Sequence, residues 1–305
     1  NIKHYSFLNT YIHNYFPYKL VISLIACPGL FHVLSFIKVI NLYLCLLVFL
    51  ILILFMVLHA GHLKREYFKF GDKKLGLRIA LLSDLHMGLL MVSEKDIKRA
   101  IHEEKPDLLV IAGDIIENEK HIGDFRKLIE KINPQCPVFV TFGNHDHGCF
   151  NKNPRAKELF FFNLQSLGIE FLINDCVVFY KGQRAINIVG IDDYRNGKPN
   201  IQQALMKKEK NADFTVAVSH NPEIALSIPQ KEVDLLLCGH FHGGQIWMPF
   251  HLEYRLLRNE KTCKAGYRKG FHNINGTPCY ISRGIGNVLI PLRLGSLPEI
   301  TFIDI

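Results

Sequence analysis

Five short apolar runs, 77–82, 107–112, 137–142, 214–218 and 233–238, each give way at once to a turn carrying Asp, Asn or His. Runs of that length that stop at polar, Gly- or Asn-containing turns are the pattern of buried strands feeding loops. Helical patterns separate the first three. Ser93 fits the N-cap of a helix over 94–105 with Asp96 at the capping-box position, and 124–132 repeats apolar residues at Phe125, Leu128, Ile129 and Ile132. Such βαβ units predict parallel strands with helices on their faces. Farther along, the apolar stretches 177–180 and 185–189 flank Lys181-Gly182-Gln183-Arg184 and read as a hairpin. Parallel units together with a hairpin predict an α/β chain with mixed sheets, two of them.

Mean hydropathy is positive although 21% of the residues are charged, so the apolar residues must be concentrated somewhere. They are concentrated over 39–60, a run interrupted by little besides Asn41 and long enough to cross a hydrocarbon layer of roughly 30 Å as a helix. The stretch 20–37 is also apolar but carries Pro28, Gly29 and His32. It reads equally as a second, kinked span, as half of a hairpin or as an interfacial segment. A cleaved signal peptide is the competing reading, yet its apolar core is typically only about 7–15 residues and no small-residue cleavage site stands out before Gly61. The expected organisation is a membrane anchor over 1–60, with one or two hydrophobic segments at 20–37 and 39–60, a linker over 61–76, and the main domain over 77–305.

Lys64, Arg65, Lys69, Lys73, Lys74 and Arg78 follow the apolar run, against Lys19 and Lys38 before it. The positive-inside bias then puts the main domain on the cytoplasmic side. Cys136, Cys149, Cys176, Cys238, Cys263 and Cys279 lack short-spaced pairs, which fits a reducing compartment. The net charge of +8 is scattered and forms no basic stripe, so a nucleic-acid partner is not expected.

Asp84 and His86 follow the first run, Asp114 the second, Asn144 and His145 the third, His220 the fourth, and His240 and His242 the fifth. In open α/β sheets the carboxyl edge of the strands is where ligands bind, so these residues can meet in one crevice. On an extended segment the i,i+2 pairs Asp84/His86 and His240/His242 would each point one way and grip one ion. Two carboxylates, an amide oxygen and four imidazoles suit Mn, Fe, Zn or Co better than Ca or Mg, which prefer all-oxygen shells. A pair of divalent ions over two carboxylates keeps net positive charge, which suits an anionic phosphoester. Taken singly, any of these residues is a turn former or a satisfied histidine.

Taken in order, Ser83-Asp84-Leu85-His86, Gly113-Asp114, Gly143-Asn144-His145-Asp146, Ser219-His220-Asn221-Pro222 and Gly239-His240-Phe241-His242-Gly243-Gly244-Gln245 resemble the calcineurin-like metallophosphoesterase superfamily over 77–305. The resemblance implies a four-layer αββα sandwich preceded by the anchor. It implies two divalent ions, manganese first among Mn, Fe, Zn and Co. Asp84, His86 and His242 would hold one ion, Asn144, His220 and His240 the other, and Asp114 would bridge them. His145 would act on the substrate as the catalytic residue, with Asp146 orienting its ring. Glu117 departs from the family, where Asp is common three residues after the bridging carboxylate.

Gly190-Ile191-Asp192-Asp193 and the tail Ser282-Arg283-Gly284-Ile285-Gly286-Asn287, Pro291-Leu292-Arg293-Leu294-Gly295 and Pro298-Glu299-Ile300 resemble the membrane-associated bacterial branch. That branch includes phosphodiesterases and membrane-anchored UDP-2,3-diacylglucosamine pyrophosphatases of lipid A synthesis. The expectation is an inner-membrane enzyme, its domain cytoplasmic, that releases UMP and 2,3-diacylglucosamine 1-phosphate. A broad phosphodiesterase and a non-catalytic scaffold are the alternatives. The partners expected are the lipid bilayer and an amphiphilic phosphate-containing substrate. Arg283 and Trp247 are candidate substrate contacts, and Asp192 and Asp193 are either substrate contacts or turn residues. Finally, Trp247, Phe250, Leu256 and Leu257 lie among Arg255, Arg258, Lys261, Lys264 and Arg268. They either rest on anionic lipid or fill the core.

Overall fold

The computed structural model describes residues 28–71 and 75–305, with side chains from residue 35 onward. The chain divides into two compact units, 1–55 and 56–305. Helix α1, Pro28–Gly61, opens on the proline, where a missing N–H costs nothing, and meets no second proline. It runs unbroken through 37–39, so the described part of the 20–37 segment and the 39–60 segment are one helix. Residues 20–27 of that segment lie outside the described residues. Over Ser35–Gly61 it is long and apolar enough to cross a membrane, and its residues are almost all exposed.

In the second unit, β1 (Lys64–Lys69), β2 (Arg78–Leu82), β3 (Leu108–Ala112), β4 (Val138–Thr141), β5 (Ile169–Phe171) and β12 (Glu299–Asp304) form one sheet in the order β1-β12-β2-β3-β4-β5. The other holds β6 (Asp175–Lys181), β7 (Arg184–Gly190), β8 (Phe214–Val218), β9 (Leu235–Cys238), β10 (Gly270–Ile274) and β11 (Thr277–Ile281), ordered β10-β11-β9-β8-β7-β6. Both are mixed. β2, β3, β4 and β5 run parallel and β12 antiparallel to β2, while β6 and β7 make the expected hairpin beside the parallel β7-β8-β9 set.

Strand periodicity decides the layers. Ile79 and Leu81 of β2 face Ile188, Val216 and Leu237 of the opposite sheet, whereas Ala80 and Leu82 face outward. That outer face is covered by helices α2 (Glu94–Glu104), α3 (Ile122–Ile132) and, after α4 (Asn144–Lys152), α5 (Pro154–Leu164), which contribute Ile97, Phe125, Phe160 and Leu164. The outer face of the second sheet is covered by helix α6 (Ile201–Met206) through Ala204 and by Ile224, Ile228, Tyr254 and Cys263. The result is helix, sheet, sheet, helix. Ser93 caps α2 through its side chain, which accepts from Lys95 N, but Asp96 closes no box and accepts from Arg99 instead.

The expected linker 61–76 is corrected. Its central residues form β1, which pairs in parallel with β12 over six residues, Lys64 opposite Glu299 through Lys69 opposite Asp304. Charged residues hid it, because an edge strand keeps Lys, Arg and Glu on its open side. Phe68 of β1 stacks on Phe271 and lies tilted against Tyr280 of the second sheet.

Candidate metal centre

Every predicted ligand lies just past the carboxyl end of a strand, and all seven are buried. The backbone there is not extended. Asp84, His86, Asp114, His240 and His242 have φ of 53°, 42°, 52°, 76° and 52°, a region that L residues other than Asn and Asp seldom occupy. The two i,i+2 pairs therefore converge because each loop coils tightly, and not because an extended segment points alternate residues one way. Glycines make room for this. A Cβ on Gly143 would come 2.2 Å from Asp114 Oδ1, and one on Gly239 would come 1.7 Å from Ser83 Oγ and 2.4 Å from Asp84 Oδ2.

The side chains meet in two groups joined by Asp114. In the first, His242 Nε2 lies 3.2 Å from both Asp84 Oδ1 and His86 Nε2, and His86 Nε2 lies 3.7 Å from Asp114 Oδ2. In the second, His220 Nε2 lies 3.0 Å from Asp114 Oδ2 and 3.2 Å from His240 Nδ1. Asn144 Oδ1 is buried without a hydrogen-bond partner. A buried lone oxygen and facing pairs of imidazole nitrogens are costly alone and fit a cation between them. Against the pull of burial, Asp114 raises the His220 imidazole to about 10, and His220 in turn holds Asp114 well below the usual carboxylate range. The residues therefore fit two ions, with Asp84, His86 and His242 around one, Asn144, His220 and His240 around the other, and Asp114 between them.

His145 sits at the rim, 34% of its side chain exposed, with Nε2 4.0 Å from Asp114 Oδ2 and Nδ1 3.5 Å from Glu117 Oε1. Glu117 also approaches His86 Nδ1 at 3.2 Å. Asp146 does not orient the His145 ring. Its carboxylate accepts the backbone N–H groups of Ile115, Ile116 and Gly143, which fastens the loop after β3 to the loop after β4. The two carboxylates it would otherwise resemble, Asp192 and Asp193, make turns: Asp193 Oδ2 accepts from Arg195 N and Asn196 N, and Asn196 Nδ2 donates to the Asn144 carbonyl at 3.0 Å. Arg283 is corrected as well. Its guanidinium is taken up by Glu66 at 2.6 Å and by Glu299, so it ties β1 to β12 instead of facing a substrate. Trp247 is 54% exposed on a loop outside the cage.

Two contacts were missed in the sequence. Glu260 Oε1 lies 2.9 Å from His240 Nε2, placed to accept a hydrogen bond from it while Nδ1 faces the cage, and Arg258 Nη2 donates to the His240 carbonyl at 2.9 Å. Burial works against the Glu260 charge, yet the His240 hydrogen bond holds it down at about 2. Neither residue follows a strand, and no spacing marks either one.

A family model described as calcineurin-like phosphoesterase matches residues 77–244. The metallophosphoesterase YkoQ of Bacillus subtilis is 31% identical over 230 residues, 74% of this chain and 82% of that protein. The phosphodiesterase YaeI of Escherichia coli is 30% identical over 77% of this chain and 84% of its own length. A transmembrane protein with metallophosphoesterase domain from Danio rerio is 29% identical over 74% of this chain and 52% of its own. The chain belongs to the calcineurin-like phosphoesterases and is a metal-dependent phosphoester hydrolase.

Proposed function

We propose that this enzyme cleaves a phosphodiester or phosphoanhydride bond of an amphiphilic substrate at a membrane surface, with UDP-2,3-diacylglucosamine as the specific candidate and manganese as the metal. The observation that carries the reading is the pair of ligand groups sharing Asp114, with His145 at their open rim. Bound ions would supply a water of lowered pKa and positive charge against both oxygens of an in-line displacement. The chain's own part is to orient. Asp114 joins the two groups, while the loops that carry Asp114 and Asn144 stay fixed by Asp146. His145 N donates to Asp114 Oδ1 at 2.8 Å, which sets its backbone, and its half-open ring is placed to donate to a phosphoryl or leaving oxygen. The phosphodiesterase relative supports cleavage of diesters, and the apolar helix α1 supports a lipid-linked substrate.

The test incubates the full chain in detergent with Mn²⁺ and either UDP-2,3-diacylglucosamine or an activated soluble diester. UMP and the lipid monophosphate are the expected products, and His145→Ala lowers both rates by about 10²–10⁴. Cleavage of soluble diesters alone would leave a broad phosphodiesterase, and equal rates for His145→Ala would remove His145 from the chemistry. The inner membrane and a cytoplasmic domain belong to the same proposal, supported by the basic residues after the span, and a topology reporter fused after Ile305 tests them.

A further inference from the structure

After His242 the chain leaves the cage as a loop, and it comes back at Arg258 and Glu260, which grip His240. Both feet of this loop stand on metal ligands. Between them Phe250, Leu256 and Leu257 are 80%, 72% and 69% exposed, so the reading in which this stretch fills the core fails. A second tip is joined to the foot of this loop. The Gln245 side chain donates to the Val288 and Ile290 carbonyls and accepts from Val288 N, which brings up Leu289, 85% exposed.

Leu289 and Phe250 are the most exposed large apolar side chains among the described residues, and both sit at positive φ, 64° and 56°. Glycine or asparagine would make such turns without strain. A bulky side chain kept there and turned to water points to an occupant. Charge says which. Arg255, Lys261, Lys264 and Lys269 of the same stretch are exposed, while the two carboxylates of 246–270, Glu253 and Glu260, keep only 4% and 12% of their side chains open.

We propose that the two tips form a docking surface for an anionic lipid bilayer. Phe250 and Leu289 enter the boundary between headgroups and acyl chains, and the surrounding cations meet lipid phosphates. The surface deepens the membrane reading above and rests on it, since docking would open the metal centre at the level of the headgroups.

Trp247, the only tryptophan of the chain, lies between the cage and Phe250 and reports on the surface directly. The full chain is reconstituted in vesicles of phosphatidylglycerol or phosphatidylcholine, with brominated acyl chains as the lipid quencher and iodide as the aqueous one. Brominated phosphatidylglycerol should quench Trp247 more strongly than brominated phosphatidylcholine, and iodide should reach it little. Phe250→Ser with Leu289→Ser should return Trp247 to iodide and slow a lipid-linked substrate about tenfold, as loss of buried apolar area predicts, without slowing a soluble diester. Arg255→Glu with Lys261→Glu should abolish the preference for phosphatidylglycerol. Quenching by iodide and not by lipid would overturn the proposal, and so would shielding from both, which would mean a protein occupant. Lipid quenching that persists while no phosphoester is cleaved would instead overturn the functional reading and leave the docking surface standing.

Discussion

Glu260 shows how much one side chain outside the ligand set decides. By standing 2.9 Å from Nε2 as an acceptor it favours the tautomer in which His240 offers Nδ1 to the cage. Removing such a partner typically costs about 10–100-fold in metal affinity, so Glu260→Ala should weaken Mn²⁺ binding by that factor in a calorimetric titration while Glu260→Gln keeps most of it. Unchanged affinity in the alanine variant would show that the contact orients nothing. A second pair titrates. His147 lies 2.6 Å from Asp192. Burial opposes its charge, but Asp192 raises the ring above 6.5, and His147 holds Asp192 below 3.8 despite burial of that carboxylate too. The His147 contribution is complete below 6.5 and is lost as pH rises through the raised value. The Asp192 contribution is complete above 3.8 and is lost as pH falls through the lowered one. His147→Gln should therefore cost more stability at pH 5.5 than at pH 9, read by denaturant unfolding, and an equal cost at both would exclude a charged pair. The convergence of the seven candidate ligands was legible because residue type and strand end coincide in each. Glu260 was not, because it reaches its partner from an irregular segment.

Among the elements, β1 carries the clearest lesson. Its charges belong to an edge and read as a linker, yet Phe68 reaches across to the second sheet. Phe68→Ala should lower stability by about 2–3 kcal/mol, below the roughly 3–5 kcal/mol of a fully buried aromatic because Phe68 is half-buried, and a shift within error in the unfolding midpoint would mean that β1 is dispensable. The tail after β11 is held by a different device. Arg293 is fully buried, and its guanidinium donates to the carbonyls of Arg283, Gly284, Gly286 and Ser296 and to Asn287 Oδ1. Burial pulls its pKa down to about 10. Arg293→Met would strand several buried carbonyls and should cost at least about 2 kcal/mol in the same assay. Strands β2, β3, β4, β6, β7, β8 and β9 and the helices α2 and α3 were legible from periodicity. The irregular tail has no period, and its order comes from one arginine whose neighbours only the fold reveals.

At the scale of the molecule, two mixed sheets followed from the strand-and-turn units and the hairpin, and the four layers from the family resemblance, but the order of strands did not, since pairing of β1 with β12 joins segments that share no local signal. The strands hold the ligand loops independently of any ion, so chelation should abolish hydrolysis and leave the far-ultraviolet circular dichroism unchanged. Loss of that signal with the metal would mean that the ions build the site. The sheet order also bears on how the chain is made. β12, residues 299–304, occupies the slot between β1 and β2, which are made more than two hundred residues earlier. During synthesis that slot stays vacant until almost the whole domain has emerged, leaving two strand edges bare. Biogenesis of this protein thus has a long interval in which a chaperone, or a neighbouring nascent chain, can reach the gap before β12 does.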